Sequence, residues 1–130
     1  MSTGIIEARG TLLEIHQDHS NKSFCFESAI SPELRIDQSV SHDGVCLTVT
    51  EIGRDTHWVT AIDETLRKSN LGLLQVGSVV NLERCMIANG RFDGHVVQGH
   101  VDQTAKCISV KDEKGSWLFE FEYDPTQGNV

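Results

Sequence analysis

The sequence is poorest in what would carry a chain to a membrane or to a nucleic acid. Across its 130 residues no apolar run approaches the length of a membrane span, and Met1-Ser2-Thr3-Gly4 opens no basic-then-apolar export signal. Cations are scarce: 11 Lys and Arg face 19 Asp and Glu, leaving a formal net charge of -8 and a pI near 5.1. That argues against a phosphate-backbone or anionic-membrane partner, while leaving room for a neutral or mildly anionic small molecule. The four cysteines, Cys25, Cys46, Cys85 and Cys107, form no C-x-x-C pair, which removes both the thioredoxin-like motif and the common zinc spacing. With no export signal and enough chain for a workable core, four reduced thiols in the cytoplasm are expected. There is no H-E-x-x-H, and Gly94 and Gly99 argue against a helix through His95-Val96-Val97-Gln98-Gly99-His100. No carboxylate-plus-histidine cluster completes a metal site, so no metal is expected. A glycine-rich phosphate loop, a serine-hydrolase elbow and a strand–turn–helix nicotinamide or flavin fingerprint are all missing, and no cofactor is expected.

What is present is β-structure. Gly44-Val45-Cys46-Leu47-Thr48-Val49-Thr50 is a turn glycine feeding a strand, with aliphatic and small polar residues in strict alternation. Val45, Leu47 and Val49 suit a core, whereas Cys46, Thr48 and Thr50 suit the wall of a ligand pocket or, more blandly, a strand face that favours threonine. Thr11–Ile15 reads as an opening strand, His16–Ser23 as a loop or hairpin tip, and Phe24-Cys25-Phe26 as a second strand broken by Ser31-Pro32. Asp43-Gly44 is a turn signal, and Gly53-Arg54-Asp55 turns the chain into His57–Ile62. Asp63–Asn70 predicts one short helix, with Asp63 able to cap, acid in its first turn, bases in its last and Gly72 after it. Val76-Gly77-Ser78 is a further turn, and Val79–Glu83 a further strand. Short strands, frequent turns and a single helix predict a small all-β barrel.

The sequence also repeats itself at an offset of about 95 residues. Gly4-Ile5-Ile6-Glu7 resembles Gly99-His100-Val101-Asp102, Phe24 falls on Phe119, and Phe26 on Phe121. The second copy has no counterpart to 44–50 or to the helix, and the tail from Asp124 to Val130 reads as a loop. One whole barrel over 1–95 and the start of a second over 96–130 are expected. Three polar features stand out on chemistry: Cys46, Ser39 and the pair His95/His100. Cys46 beside a histidine is either an activated nucleophile or an inert thiol, and His100 is either a proton carrier near neutral pH or a surface hydrogen-bonding group.

The blocks 3–7, 44–50, 64–72, 80–84 and 94–102, in this order and spacing, resemble the signature blocks of the riboflavin synthases, the lumazine-binding family. The resemblance implies two six-stranded Greek-key barrels per chain and a trimer of chains, with a dimer as the alternative for this shorter form. It implies binding of 6,7-dimethyl-8-ribityllumazine, and dismutation of two such molecules to riboflavin and 5-amino-6-ribitylaminouracil, without metal or cofactor. Residue by residue, it implies that Gly4, Ile5 and Ile6 meet the ring through backbone groups. It implies that Cys46, Leu47, Thr48, Thr60, Ala61, Ile62, Asp63, Glu64, Thr65, Gly99, His100 and Val101 line the pocket. Ser39, Cys46 and His100 match the polar residues tied to nucleophile addition and proton transfer. Two departures matter: Ser2 stands where the family usually has a phenylalanine that would pack near the ring, and the rest of the second barrel is absent. A non-catalytic lumazine- or flavin-binding protein of the same fold is the alternative reading. Retention of Ser39, Cys46 and His100 favours the enzyme.

Overall fold

In the computed structural model, residues 1–87, 89–90 and 93–128 are described. Six antiparallel strands close a barrel: β1 (Ala8–Asp18), β2 (Asn21–Glu27), β3 (Ser39–His42), β4 (Val45–Ile52), β5 (Thr56–Ala61) and β6 (Val79–Arg84). Their order is β1-β2-β5-β4-β3-β6, and β1 pairs again with β6 to remove both edges. The non-sequential β2–β5 neighbour gives the barrel its Greek-key character. One helix, α1 (Asp63–Lys68), follows β5. The expected all-β barrel with one short helix is the fold observed, and among the described residues no helix is long and apolar enough to cross a membrane.

Alternation decides which side chains fill the barrel. On β4, Val45, Leu47 and Val49 are buried while Thr48 and Thr50 are exposed and Cys46 half-buried. Phe24, Phe26, Leu12, Val40, Val59, Val80 and Leu82 complete the centre. The Asp43-Gly44 turn has φ of 48° and 84° at its two central residues, the left-handed pair that a two-residue hairpin favours. The Asp43 carboxylate then accepts from the Asn81 backbone N–H at 2.7 Å and from the Asn70 amide at 2.7 Å, tying the β3–β4 hairpin to β6 and to the short 3-10 turn Asn70–Leu73.

Three local expectations are corrected. The β1–β2 tip lies at His19-Ser20, because the polar strand ends pair as far as Asp18 with Asn21 and His19 takes a φ of 54°. The helix is capped by Ile62 with no side-chain bond; Asp63 is its first residue, and its carboxylate takes Arg67 at 2.9 Å instead. The tail is not wholly irregular: Pro125–Gln127 forms a 3-10 turn capped by the Asp124 side chain, while Asn129 and Val130 lie outside the described residues.

The core contains a polar chain. His42 Nε2 lies 2.9 Å from His57 Nε2, His42 Nδ1 lies 3.0 Å from the Val40 carbonyl, and His57 Nδ1 lies 2.7 Å from Ser31 Oγ, itself 2.7 Å from Ser28 Oγ. Both histidines are fully buried, with Phe26 against both rings.

Beyond the barrel, among the described residues β7 (Lys106–Asp112) and β8 (Trp117–Glu122) pair only with each other, and every residue of both is exposed. Their geometry repeats that of β1 and β2. The β1–β2 register slips between Leu12 and Glu14, and the β7–β8 register slips between Cys107 and Ser109, each 95 residues later. Phe26 opposes Leu12 as Phe121 opposes Cys107, and the Phe24–Phe26 rings, 6.0 Å apart, have a counterpart in Phe119–Phe121 at 6.4 Å.

Candidate functional site

A cavity of about 460 Å³ opens between the start of β4, α1 and the segment after β6. Strand alternation turns the Cys46 side chain outward beside Val45, one wall of this cavity. Across it stand Ile62, Glu64, Thr65, Lys68 and Ser69, presented by α1 and its two ends. The third wall is Gly99, His100, Val101 and Asp102, from a strap of irregular chain.

The strap is fixed by backbone bonds. Ser2 and Val97 exchange N–H···O bonds of 2.8 and 2.7 Å, and His95 N–H donates to Thr3 O at 3.2 Å. Cys46 N–H then donates to Gly99 O at 3.0 Å. Gly99 lies so close to β4 that a Cβ there would sit 2.4 Å from Cys46 Cβ, which only glycine avoids. Residues 97–101, which the sequence assigns to the second unit, thus lie against the first barrel.

An ion pair lines the site. Glu64 and Lys68 meet at 2.7 Å across one helical turn, and this contact holds the Glu64 carboxyl below its ordinary range. The Cys85 thiol is pushed up chiefly by burial and next by the neighbouring Cys46, with the Met1 ammonium, 4.0 Å away, acting the other way. Among the described residues no group of three or more His, Cys, Asp or Glu converges as metal ligands would.

The sequence-predicted residues divide. Cys46, Ile62, Glu64, Thr65, Gly99, His100 and Val101 line the one cavity. Ser39 and Thr48 are cross-strand partners one step along the sheet and do not line it. Leu47 and Ala61 turn into the core, Thr60 bonds Ser23 at 2.8 Å, and Asp63 is held by Arg67. Ile5 lines a separate cleft of about 440 Å³ with Arg35, Arg84 and Cys85, while Gly4, at a φ of 84°, donates its N–H to Glu83 and Ile6 is exposed. Sequence reasoning missed Val45, which it assigned to the core alone, and Lys68, Ser69 and Asp102. Lys68 and Ser69 follow Glu64 and Thr65 at helical spacing, a signal that could have found them.

The lumazine binding domain family matches residues 3–85. The chain belongs to the lumazine-binding family. It is 36% identical over 127 residues to the riboflavin synthase of Bacillus subtilis (strain 168), a match covering 97% of this chain and 59% of that protein. It is 37% identical over 130 residues to the riboflavin synthase of Saccharomyces cerevisiae (strain ATCC 204508 / S288c), covering 94% and 55%. The chain therefore spans somewhat more than half the length of these relatives. Among solved structures, LumP complexed with 6,7-dimethyl-8-(1'-D-ribityl) lumazine aligns with a TM-score of 0.84 at 19% identity, over 95% of this chain and 69% of that one. LumP complexed with riboflavin aligns at 0.77 and 21% identity, over 88% and 62%. At such identities the likeness is one of fold.

Proposed function

We propose that this chain supplies the first ligand-binding barrel of a riboflavin synthase. The cavity between Cys46, α1 and the strap receives the ring of 6,7-dimethyl-8-ribityllumazine or of the product riboflavin. Two lumazines react when their rings are held face to face: one donates a four-carbon unit, and riboflavin and 5-amino-6-ribitylaminouracil leave. The donor's 7-methyl group is acidic because the ring delocalises its carbanion, so the protein's work is to align two rings and move protons. Cys46 and His100 are the groups at this cavity suited to nucleophile addition and proton transfer; Ser39 stands in the next row of the sheet.

The observation that carries this reading is the convergence on one cavity of Cys46, Gly99, His100 and α1, from separate sequence blocks within the stretch that matches the riboflavin synthases. Residues 96–130 begin the second copy of the barrel, a reading supported by the β-bulge repeated 95 residues on. One barrel offers one ring site, so this chain binds ligand and turns it over poorly. A trimer of longer chains, or a face-to-face dimer of this form, supplies the second ring. The protein works in the cytoplasm. Fluorescence titration with riboflavin, with a turnover assay on the lumazine, tests this. Binding with little turnover is expected, full turnover contradicts the division of labour, and no binding contradicts the pocket.

A further inference from the structure

Glu83 is a charged side chain in a place that charge avoids. It sits on the outer face of β6 with only 4% of its surface exposed, and among the described residues it forms no ion pair. Its partners are neutral donors from one short segment. Oε1 accepts from Thr3 N–H at 2.6 Å and Thr3 Oγ–H at 2.7 Å, and Oε2 accepts from Gly4 N–H at 3.0 Å. Bonds from such donors to a buried carboxylate are short and strong, and they offset the cost of burying it.

What those three bonds hold leads to the site. Thr3 is flanked by Ser2, whose backbone pairs with Val97, and Thr3 O itself accepts from His95 N–H. Val97 begins the strap whose Gly99 O receives Cys46 N–H and whose next residue is His100. The strap has few other anchors, since residues 93–98 are exposed throughout. We infer that Glu83 is a positioning residue: its carboxylate seats Thr3 and Gly4, and through the Ser2–Val97 pairing it sets where Gly99 and His100 stand over Cys46. The inference rests on the proposed flavin cavity for its ligand readout and on the hydrogen-bond chain alone for its exchange readout.

The experiment uses the full chain, with riboflavin as the probe and amide hydrogen exchange as the second measurement. Glu83→Ala removes all three bonds without touching the core, because its neighbour Leu82 faces inward. Riboflavin affinity is expected to fall at least about tenfold. Exchange is expected to quicken at Val97, His95 and Cys46 while Leu47 and Val59 stay protected. Glu83→Gln keeps one acceptor oxygen but turns an amide N–H₂ towards the Gly4 donor, so it should fall between wild type and Glu83→Ala. Ser2→Pro deletes the Ser2 N–H that meets Val97 and leaves Glu83 intact; it should reproduce the same local exchange. If both act through the strap, the double variant is no worse than the weaker-binding single one. Unchanged exchange at Val97 and Cys46 in Glu83→Ala overturns the inference, as does strict additivity with Ser2→Pro. Should Glu83→Ala not fold, Glu83→Gln and Ser2→Pro decide by the same readouts. Failure of wild type to bind riboflavin overturns the proposed function instead, and the exchange result still judges Glu83.

Discussion

At the scale of single residues, the buried histidines show how tightly one environment can fix a proton. The Val40 carbonyl can only accept, so His42 Nδ1 carries the hydrogen and His42 Nε2 is the acceptor. His57 Nε2 therefore donates to it, and His57 Nδ1 accepts from the Ser31 hydroxyl. An added proton on His42 sets its Nε2–H against the His57 Nε2–H, and one on His57 Nδ1 forces the Ser31 hydroxyl to turn from donor to acceptor. Burial pushes His42 down to about 3, with His57 adding to the effect, and burial pushes His57 down to about 4. The unfolded chain binds both protons near pH 6.5, so between that pH and about 4 it holds more protons than the fold. Stability is thus full above pH 7 and falls as pH drops through 6.5, by up to about 2.7 kcal/mol per pH unit for the pair. Urea midpoints should be flat from pH 8 to 7 and decline steadily to pH 5; a flat profile to pH 5 contradicts the assignment. The β4 pair offers a second test. Leu47→Asp buries an unpaired charge and should cost several kcal/mol, enough to unfold the barrel, whereas Thr48→Ala should move the melting temperature little. The reverse order in a thermal melt would mean that the strand faces the other way.

At the scale of elements, the sequence was informative where local rules act alone. Asp43-Gly44 announces its turn, and the Val45–Thr50 alternation announces which face is core, because both signals are complete within eight residues. The Asp63 helix was legible in type but not in its cap, since an ion pair with Arg67 competes for the same carboxylate. Contacts between distant segments left no local trace. Nothing around Cys46 announces that Gly99 rests on it, and nothing in Val80–Arg84 tells that Glu83 faces Thr3. Seven of the expected pocket residues do meet in one cavity, yet Leu47 and Ala61, which the resemblance puts among the lining residues, have their side chains sent to the core by strand alternation. Gly99→Ala probes the strap directly. Its Cβ cannot coexist with Cys46 as placed, so the strap must shift. The expected outcome is riboflavin binding weakened about tenfold or more with the barrel's melting temperature nearly unchanged, read by fluorescence titration beside a thermal melt.

At the scale of the whole molecule, a closed barrel is joined to a hairpin that closes nothing. The barrel satisfies its own edges. The hairpin exposes Trp117, Phe119, Phe121 and Val110, and a lone two-stranded sheet is marginal in water. In dilute solution the amides of β7 and β8 should exchange far faster than those of β2 or β5. Protection as strong as the barrel's and independent of concentration would show that the hairpin is held by something the single chain supplies. The central claim, however, is that Cys46, α1 and the strap form one flavin-binding cavity in the first barrel. It is tested most directly by following backbone amide shifts by NMR as riboflavin is added to the full chain. The account predicts saturable shifts concentrated at Val45–Cys46, Ile62–Ser69 and Gly99–Asp102, with β7, β8 and the cleft at Arg35 unmoved. Saturable shifts centred on the Arg35 cleft or on the hairpin, with Cys46 and Gly99 silent, would contradict it.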